Sequence, residues 1–190
     1  MTDYLTDVEN CLEVLRSGGI ILYPTDSVWG LGCDATNEMA VEKIFSIKQR
    51  PDNKTMIVLV ADEREMLRYV TQPDPSISDF LKSVNKPTTV IYNGGTGVAG
   101  NIIADDGTIG IRITKEIFTK HLIKRFRKPL VSTSANLSGQ PTPRSFHEIT
   151  EEVKKEVNYV VKYRQDENLV LEASAVIKFN ADGTVKVIRP

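Results

Sequence analysis

Short apolar runs recur along the chain at 20–23, 56–60, 88–92, 109–113 and 130–133, with helix-patterned stretches between most of them. A run this short and this continuously apolar reads as a strand buried on both faces. The intervening stripes read as the helices that cover it. Leu5, Val8, Leu12 and Leu15 share one helical face that stops at Gly18-Gly19. A helix from about Asn37 turns Val41, Ile44 and Phe45 inward and delivers Lys48 at its end. Asp62 with Glu65, and Ser145 with Glu148, have the spacing of capping boxes. Residues 76–84 and 115–126 are two more helices. The end of the chain, at 159–163, 175–179 and 185–188, is strand-rich, with Asp182-Gly183 as a hairpin turn. Hairpins among otherwise helix-linked strands predict a mixed sheet in one α/β domain spanning residues 1–190.

A chain of 190 residues, 41% hydrophobic and 26% charged, is that of an ordinary globular protein. Its net charge of −1 provides no global attraction to nucleic acid or membrane, so any such contact must be local. Cys11 and Cys33 have neither metal-type nor redox spacing, and no apolar run reaches the length of a membrane span. The expectation is a soluble protein of a reducing cytoplasm.

Two clusters carry most of the chemistry. Lys48-Gln49-Arg50 supplies fixed cations, and Lys54 adds a third. Ser132-Thr133-Ser134-Ala135-Asn136-Leu137-Ser138-Gly139 sends four hydroxyls and an amide out of a strand. Cations beside small hydrogen-bonding groups suit a polyanion better than a covalent nucleophile. Each cluster also has a plainer reading, as a solvated helix end and as a chain of Ser/Thr and Asx turns. Pro24-Thr25-Asp26-Ser27-Val28-Trp29-Gly30-Leu31-Gly32 leaves a buried strand and can present its hydroxyls and carboxylate to a ligand, or form an ordinary turn. Arg112 interrupts an apolar strand and needs a partner, either an internal carboxylate such as Asp105 or Asp106 or an anionic ligand. From Arg112 to Lys128 seven cations face one acid, Glu116; this stretch can meet RNA phosphates or form a solvated face. No P-loop and no Gly-x-Ser-x-Gly elbow is present, and Gly94-Gly95-Thr96-Gly97 leads into no helix. His121 and His147 fall in predicted amphipathic helices, where both are expected to face solvent. No metal cage is expected.

In this order the motifs resemble the YrdC-like L-threonylcarbamoyladenylate synthases, from Gly18-Gly19 through Lys48-x-Arg50-Pro51, Gly110-Ile111-Arg112 and Ser134-x-Asn136 to Ser174-Ala175-Val176-Ile177 and Ile188-Arg189. Longer family members carry an extra C-terminal domain, which this sequence does not reach. The resemblance implies a twisted mixed sheet around a concave site. It implies a reaction of ATP, L-threonine and bicarbonate that gives threonylcarbamoyl-AMP and pyrophosphate, with Mg2+ accompanying the ATP. A tRNA threonylcarbamoyl transferase machinery would then modify tRNAs that read ANN codons. Lys48 and Arg50 would act on the phosphates, with Ser134 and Asn136 assisting. Ser174 and Arg189 would reach the nucleotide, and Thr25, Ser132 and Arg112 the threonine. The alternative is a non-catalytic protein of the same fold that binds double-stranded RNA or tRNA. The chain departs from the family pattern at Lys86-Pro87-Thr88, Thr55-Met56, Trp29 and Thr114, positions expected on the walls of the cleft.

Overall fold

The computed structural model describes residues 4–49, 56–74, 76–167, 169–179 and 184–190. Arg50, Lys54, Thr55 and the predicted Asp182-Gly183 turn lie outside them. The helices are α1 (Leu5–Arg16), α2 (Glu38–Lys48), α3 (Glu63–Met66), α4 (Ser76–Ser83), α5 (Ile117–Phe126) and α6 (Glu151–Lys155). The strands are β1 (Ile21–Tyr23), β2 (Gly30–Gly32), β3 (Ile57–Val60), β4 (Thr88–Tyr92), β5 (Ile109–Ile113), β6 (Leu130–Ser134), β7 (Tyr159–Val160), β8 (Ala175–Phe179) and β9 (Val185–Arg189). They form one mixed sheet in the order β7-β1-β2-β6-β3-β5-β4-β8-β9.

Alternation along the strands sorts the core into two layers. Val58 and Val60 of β3, and Ile109 and Ile111 of β5, pack with α2 on one face. Leu59 of β3 and Leu130 of β6 pack with α1 and α5 on the other. The apolar runs therefore have the two-sided burial that their composition predicts. Asn37 caps α2 by accepting from Ala40 N at 3.1 Å, and Gln49 ends it in the left-handed region at φ 50°.

Two local expectations change. β2 is a strand where the sequence reads as a glycine-rich turn. A Cβ on Gly32 would stand 2.5 Å from Tyr23 Cε1 and 2.9 Å from Val131 O, so only glycine lets β1 and β6 approach it this closely. Ser145 does not cap a helix: residues Phe146–Glu148 form a single 3₁₀ turn, and Ile149 leaves it extended to enter the core. Thr150 caps α6 instead, accepting from Val153 N at 3.4 Å. The Gly94–Gly97 segment is a scaffold turn, with Thr71 N donating to Gly94 O and Gly95 N to Gly107 O.

Cys11 and Cys33 are both free and fully buried, and burial pushes both thiols up from their ordinary value. Neither thiol should react with Ellman's reagent in the native protein, and both should react in urea; a fast native reaction would contradict this packing. Gly32→Ala should cost ~1–3 kcal/mol in urea unfolding, the usual penalty for forcing atoms into a packed core, and an unchanged midpoint would contradict the close approach of β1 and β6.

Candidate active site

The end of α2 and the exit of β6 meet at a buried ammonium. Lys48 Nζ donates to Ser134 O at 2.6 Å, Asn136 O at 2.7 Å and Asn136 Oδ1 at 3.2 Å. Ser138 N closes the junction by donating to Lys48 O at 2.9 Å. Asn136 is tied into the same junction. Its Oδ1 also accepts from Ser134 Oγ at 2.6 Å, and its Nδ2 donates to Gln140 O at 2.7 Å.

Beside this junction, over the face of the sheet that carries Leu59, lies a cavity of about 350 Å³. Ser132, Ser134, Gly110, Arg112 and Arg189 all line it. The register explains why residues so far apart in sequence share it. Leu59 pairs with Arg112, Thr89 with Val176, and Val176 with Arg189; continuing the β4–β5 register by one residue sets Thr89 beside Arg112. Arg112, Thr89, Val176 and Arg189 thus form one row across four strands and point to one side. The buried alternates on either side of Arg112 and Thr89 face the core.

Arg112 is 3% exposed, and its charge is met by Asp26, not by Asp105 or Asp106. Asp106 is engaged with Thr108 in its own turn. Arg112 Nε stands 3.2 Å from Asp26 Oδ1, close enough for an ion pair but too bent for a hydrogen bond, so that both atoms lack a hydrogen-bond partner. Asp26 Oδ2 accepts from Lys115 N at 2.8 Å. Arg189 is held by its Nε donating to Ser174 O at 2.9 Å, and Ser174 Oγ lies 3.0 Å from Thr89 Oγ1. Desolvation and the neighbouring charge of Arg112 both lower the pKa of Arg189 from its ordinary value. Two like charges facing one cavity favour an anion between them.

The predicted residues therefore divide. Arg112, Ser132, Ser134, Ser174 and Arg189 line the cavity. Lys48 and Asn136 stand behind its wall and hold it. Thr25 is behind the wall too. Its hydroxyl donates to Val28 O at 2.8 Å, accepts from Ser27 N at 3.0 Å, and lies 3.4 Å from Arg112 Nη2. Ser27, one of the hydroxyls expected from the segment after β1, lines the cavity too, and Thr89 and Thr142 line it without any such expectation. For Thr89 there was a readable signal, a hydroxyl within an apolar strand. The departures from the family pattern mostly lie off the cavity. Trp29 is buried against Phe146 with ring centroids 4.9 Å apart, and Lys86, Pro87 and Thr88 border a different groove. Met56 does line the cavity.

The basic stretch is largely paired within the chain: Lys124 with Asp62 at 3.8 Å, Arg125 with Glu9 at 3.9 Å and Lys128 with Asp34 at 2.6 Å. His121 is half-buried against Tyr4, at 5.8 Å between ring centroids. His147 lies in the 3₁₀ turn and is exposed. Among the described residues no cluster of His, Cys, Asp or Glu could hold a metal, and no helix is long and apolar enough to cross a membrane.

Known proteins resemble this chain in sequence and in fold. A threonylcarbamoyl-AMP synthase of Pseudoalteromonas translucida is 36% identical over 164 residues, covering 85% of this chain and 87% of its own. Escherichia coli YciO superposes with a TM-score of 0.81 at 27% identity, covering 97% of this chain and 88% of that one. Sua5 of P. abyssi, solved with L-threonine, superposes with a TM-score of 0.84 at 23% identity, and this chain spans 54% of its length. Residues 13–190 match the Sua5/YciO/YrdC family, described as telomere recombination, and the chain belongs to that family.

Proposed function

We infer that this chain is an L-threonylcarbamoyladenylate synthase, a nucleotidyltransferase that makes threonylcarbamoyl-AMP and pyrophosphate from ATP, L-threonine and bicarbonate. The observation that carries this reading is the convergence of Arg112 and Arg189 on one hydroxyl-lined cavity, with Asp26 as the carboxylate paired to Arg112. Relatives named threonylcarbamoyl-AMP synthase at 36% identity support it.

In this reading the threonine amine and bicarbonate first condense to a carbamate, a C–N bond forming as a C–O bond of bicarbonate breaks and water leaves. A carbamate oxygen attacks the α-phosphorus of ATP, and the bond to the β-phosphate oxygen breaks to release pyrophosphate. The protein supplies no nucleophile. It aligns charged reactants and offsets charge that develops on the phosphoryl oxygens. Arg112, fixed from behind by Asp26 and Thr25, takes the threonine carboxylate, and Ser132 lies beside it. Arg189 and Ser174 take the nucleotide. Ser134 stands where the phosphates would run, and its hydroxyl can turn from Asn136 to a phosphate oxygen. Lys48 acts mainly through the loop it holds, and Arg50, two residues on, is assigned to the phosphates. Mg2+ enters as part of the MgATP substrate, held by phosphates and water, since the described residues offer no carboxylate cage. The product would pass to the tRNA threonylcarbamoyl transferase machinery, in the cytoplasm. The RNA-binding alternative gains nothing from the basic stretch, whose cations are mostly paired within the chain.

Purified protein should release pyrophosphate from ATP only when threonine and bicarbonate are both present; release without threonine, or none at all, would contradict the assignment. One charge-assisted contact contributes ~1.5–3 kcal/mol, so Arg112→Ala should raise KM for threonine by about tenfold or more and leave KM for ATP much less changed. An equal rise in both would remove Arg112 from the threonine subsite. Lys48→Met should lower kcat by at least about tenfold and loosen the 134–138 loop in hydrogen exchange, whereas slowed turnover with full loop protection would argue that Lys48 meets the phosphates directly.

A further inference from the structure

A second cavity lies on the far side of the strands that carry Arg112. It is a groove of about 630 Å³ between α3, α4 and the start of α5. Met66, Ile77, Leu81 and Ile113 make its floor, and Leu67 at its lip is 47% exposed. Four lysines border it, Lys82, Lys86, Lys115 and Lys120. Of the three bordering acids, Asp62 is engaged in capping α3 and meets Lys124, Asp74 accepts from Ser76 N and Oγ, and Glu63 is exposed at the α3 rim, away from the Lys115–Lys120 end in sequence. Lys82 is paired with Asp79, and Lys86 lies 3.7 Å from Glu172. Lys120 is half-buried, and its ammonium has no partner among the described residues.

We propose that this groove binds a small amphipathic organic anion and that its occupancy tunes Arg112. The volume lies in the range of about 300–1,000 Å³ usual for small-molecule sites, which are mostly apolar with a few convergent polar groups. An apolar body would lie on the Met66–Ile77–Leu81 floor, with its anionic group at Lys120 and Lys115. Enclosure by three helices favours a small molecule over an extended protein segment, whose backbone would find few hydrogen-bonding partners on that floor.

The link to the active cavity is covalent and short. Ile113 faces the groove and its neighbour Arg112 faces the cavity, as alternation along β5 requires. Lys115 Nζ donates to Val84 O on the groove wall at 3.0 Å, while Lys115 N donates to Asp26 Oδ2 at 2.8 Å. Asp26 in turn stands 3.2 Å from Arg112 Nε. An anion that draws the Lys115 ammonium away from Val84 shifts the backbone that holds Asp26, and with it the set of Arg112. The tuning rests on the reading of Arg112 as the threonine-carboxylate group; the binding does not.

The test is a fluorescence titration of the full chain with 8-anilinonaphthalene-1-sulfonate, an apolar anion. Wild type should show one saturable site. Lys120→Glu, a charge change on a half-buried side chain without a partner, should weaken it by about tenfold or more. Leu81→Asp should abolish it, and Met39→Asp on the far helix α2 should leave it intact. Binding that ignores both groove variants, or that is matched by loss in Met39→Asp, overturns the site as an adventitious additive only. Displacement of the probe by a bound protein segment but not by decanoate overturns the small-molecule class. Calorimetric titration of threonine with and without saturating probe should differ by about threefold or more, and Lys115→Met should erase the difference. Equal threonine affinities overturn the tuning. A protein that binds no threonine at all defeats the synthase reading, while the fluorescence titration still decides the groove.

Discussion

A single buried ammonium joins the two halves of the site. Taking a lysine out of water carries a large desolvation cost, and Lys48 helps to offset it by giving protons to the exit of β6. That requirement binds the end of α2 to residues 134–138 as firmly as it fixes the lysine. It also ties down the Asn136 carbonyls, so both motif residues brace the wall of the cavity. The wall they hold is where Ser132 and Ser134 reach the cavity. Among the described residues, the cations that line the cavity come from elsewhere.

Those cations are brought together by sheet register. Arg112 on β5 and Arg189 on β9 are far apart in sequence, yet one row of cross-strand neighbours sets them on the same side. The opposite parity of each strand builds the core against α2. The same alternation that stabilises the sheet therefore separates charge from core, and a register shift between Val176 and Ile177 brings Arg189, rather than Ile188, opposite Val176. It also sets the apolar groove beside α4 back to back with the charged cavity, one residue away along β5.

Much of this was legible in the sequence because the signals were local. Apolar runs reported strands buried on both faces, and caps at Asn37 and Asp62 reported helix starts. The density of hydroxyls after β6 marked the site. What could not be read was pairwise. Nothing local says that Asp26, rather than Asp105 or Asp106, meets Arg112, because the β1–β2 turn and β5 come together only in the folded sheet. Nothing local shows that Thr25 and Lys48 turn their polar atoms inward. β2 was missed because glycines usually break strands, and here the tight approach of Tyr23 requires one. Ser145 has capping spacing, but the burial of Ile149 ends its turn after three residues.

The central claim is that the cavity joins a threonine carbamate to the α-phosphate of ATP. Mass spectrometry of a reaction run with ATP, L-threonine and 13C-bicarbonate tests this most directly. The account predicts an adenylate containing both threonine and the labelled carbon. An adenylate of threonine without the label, or AMP as the sole nucleotide product from the earliest time points, would contradict it.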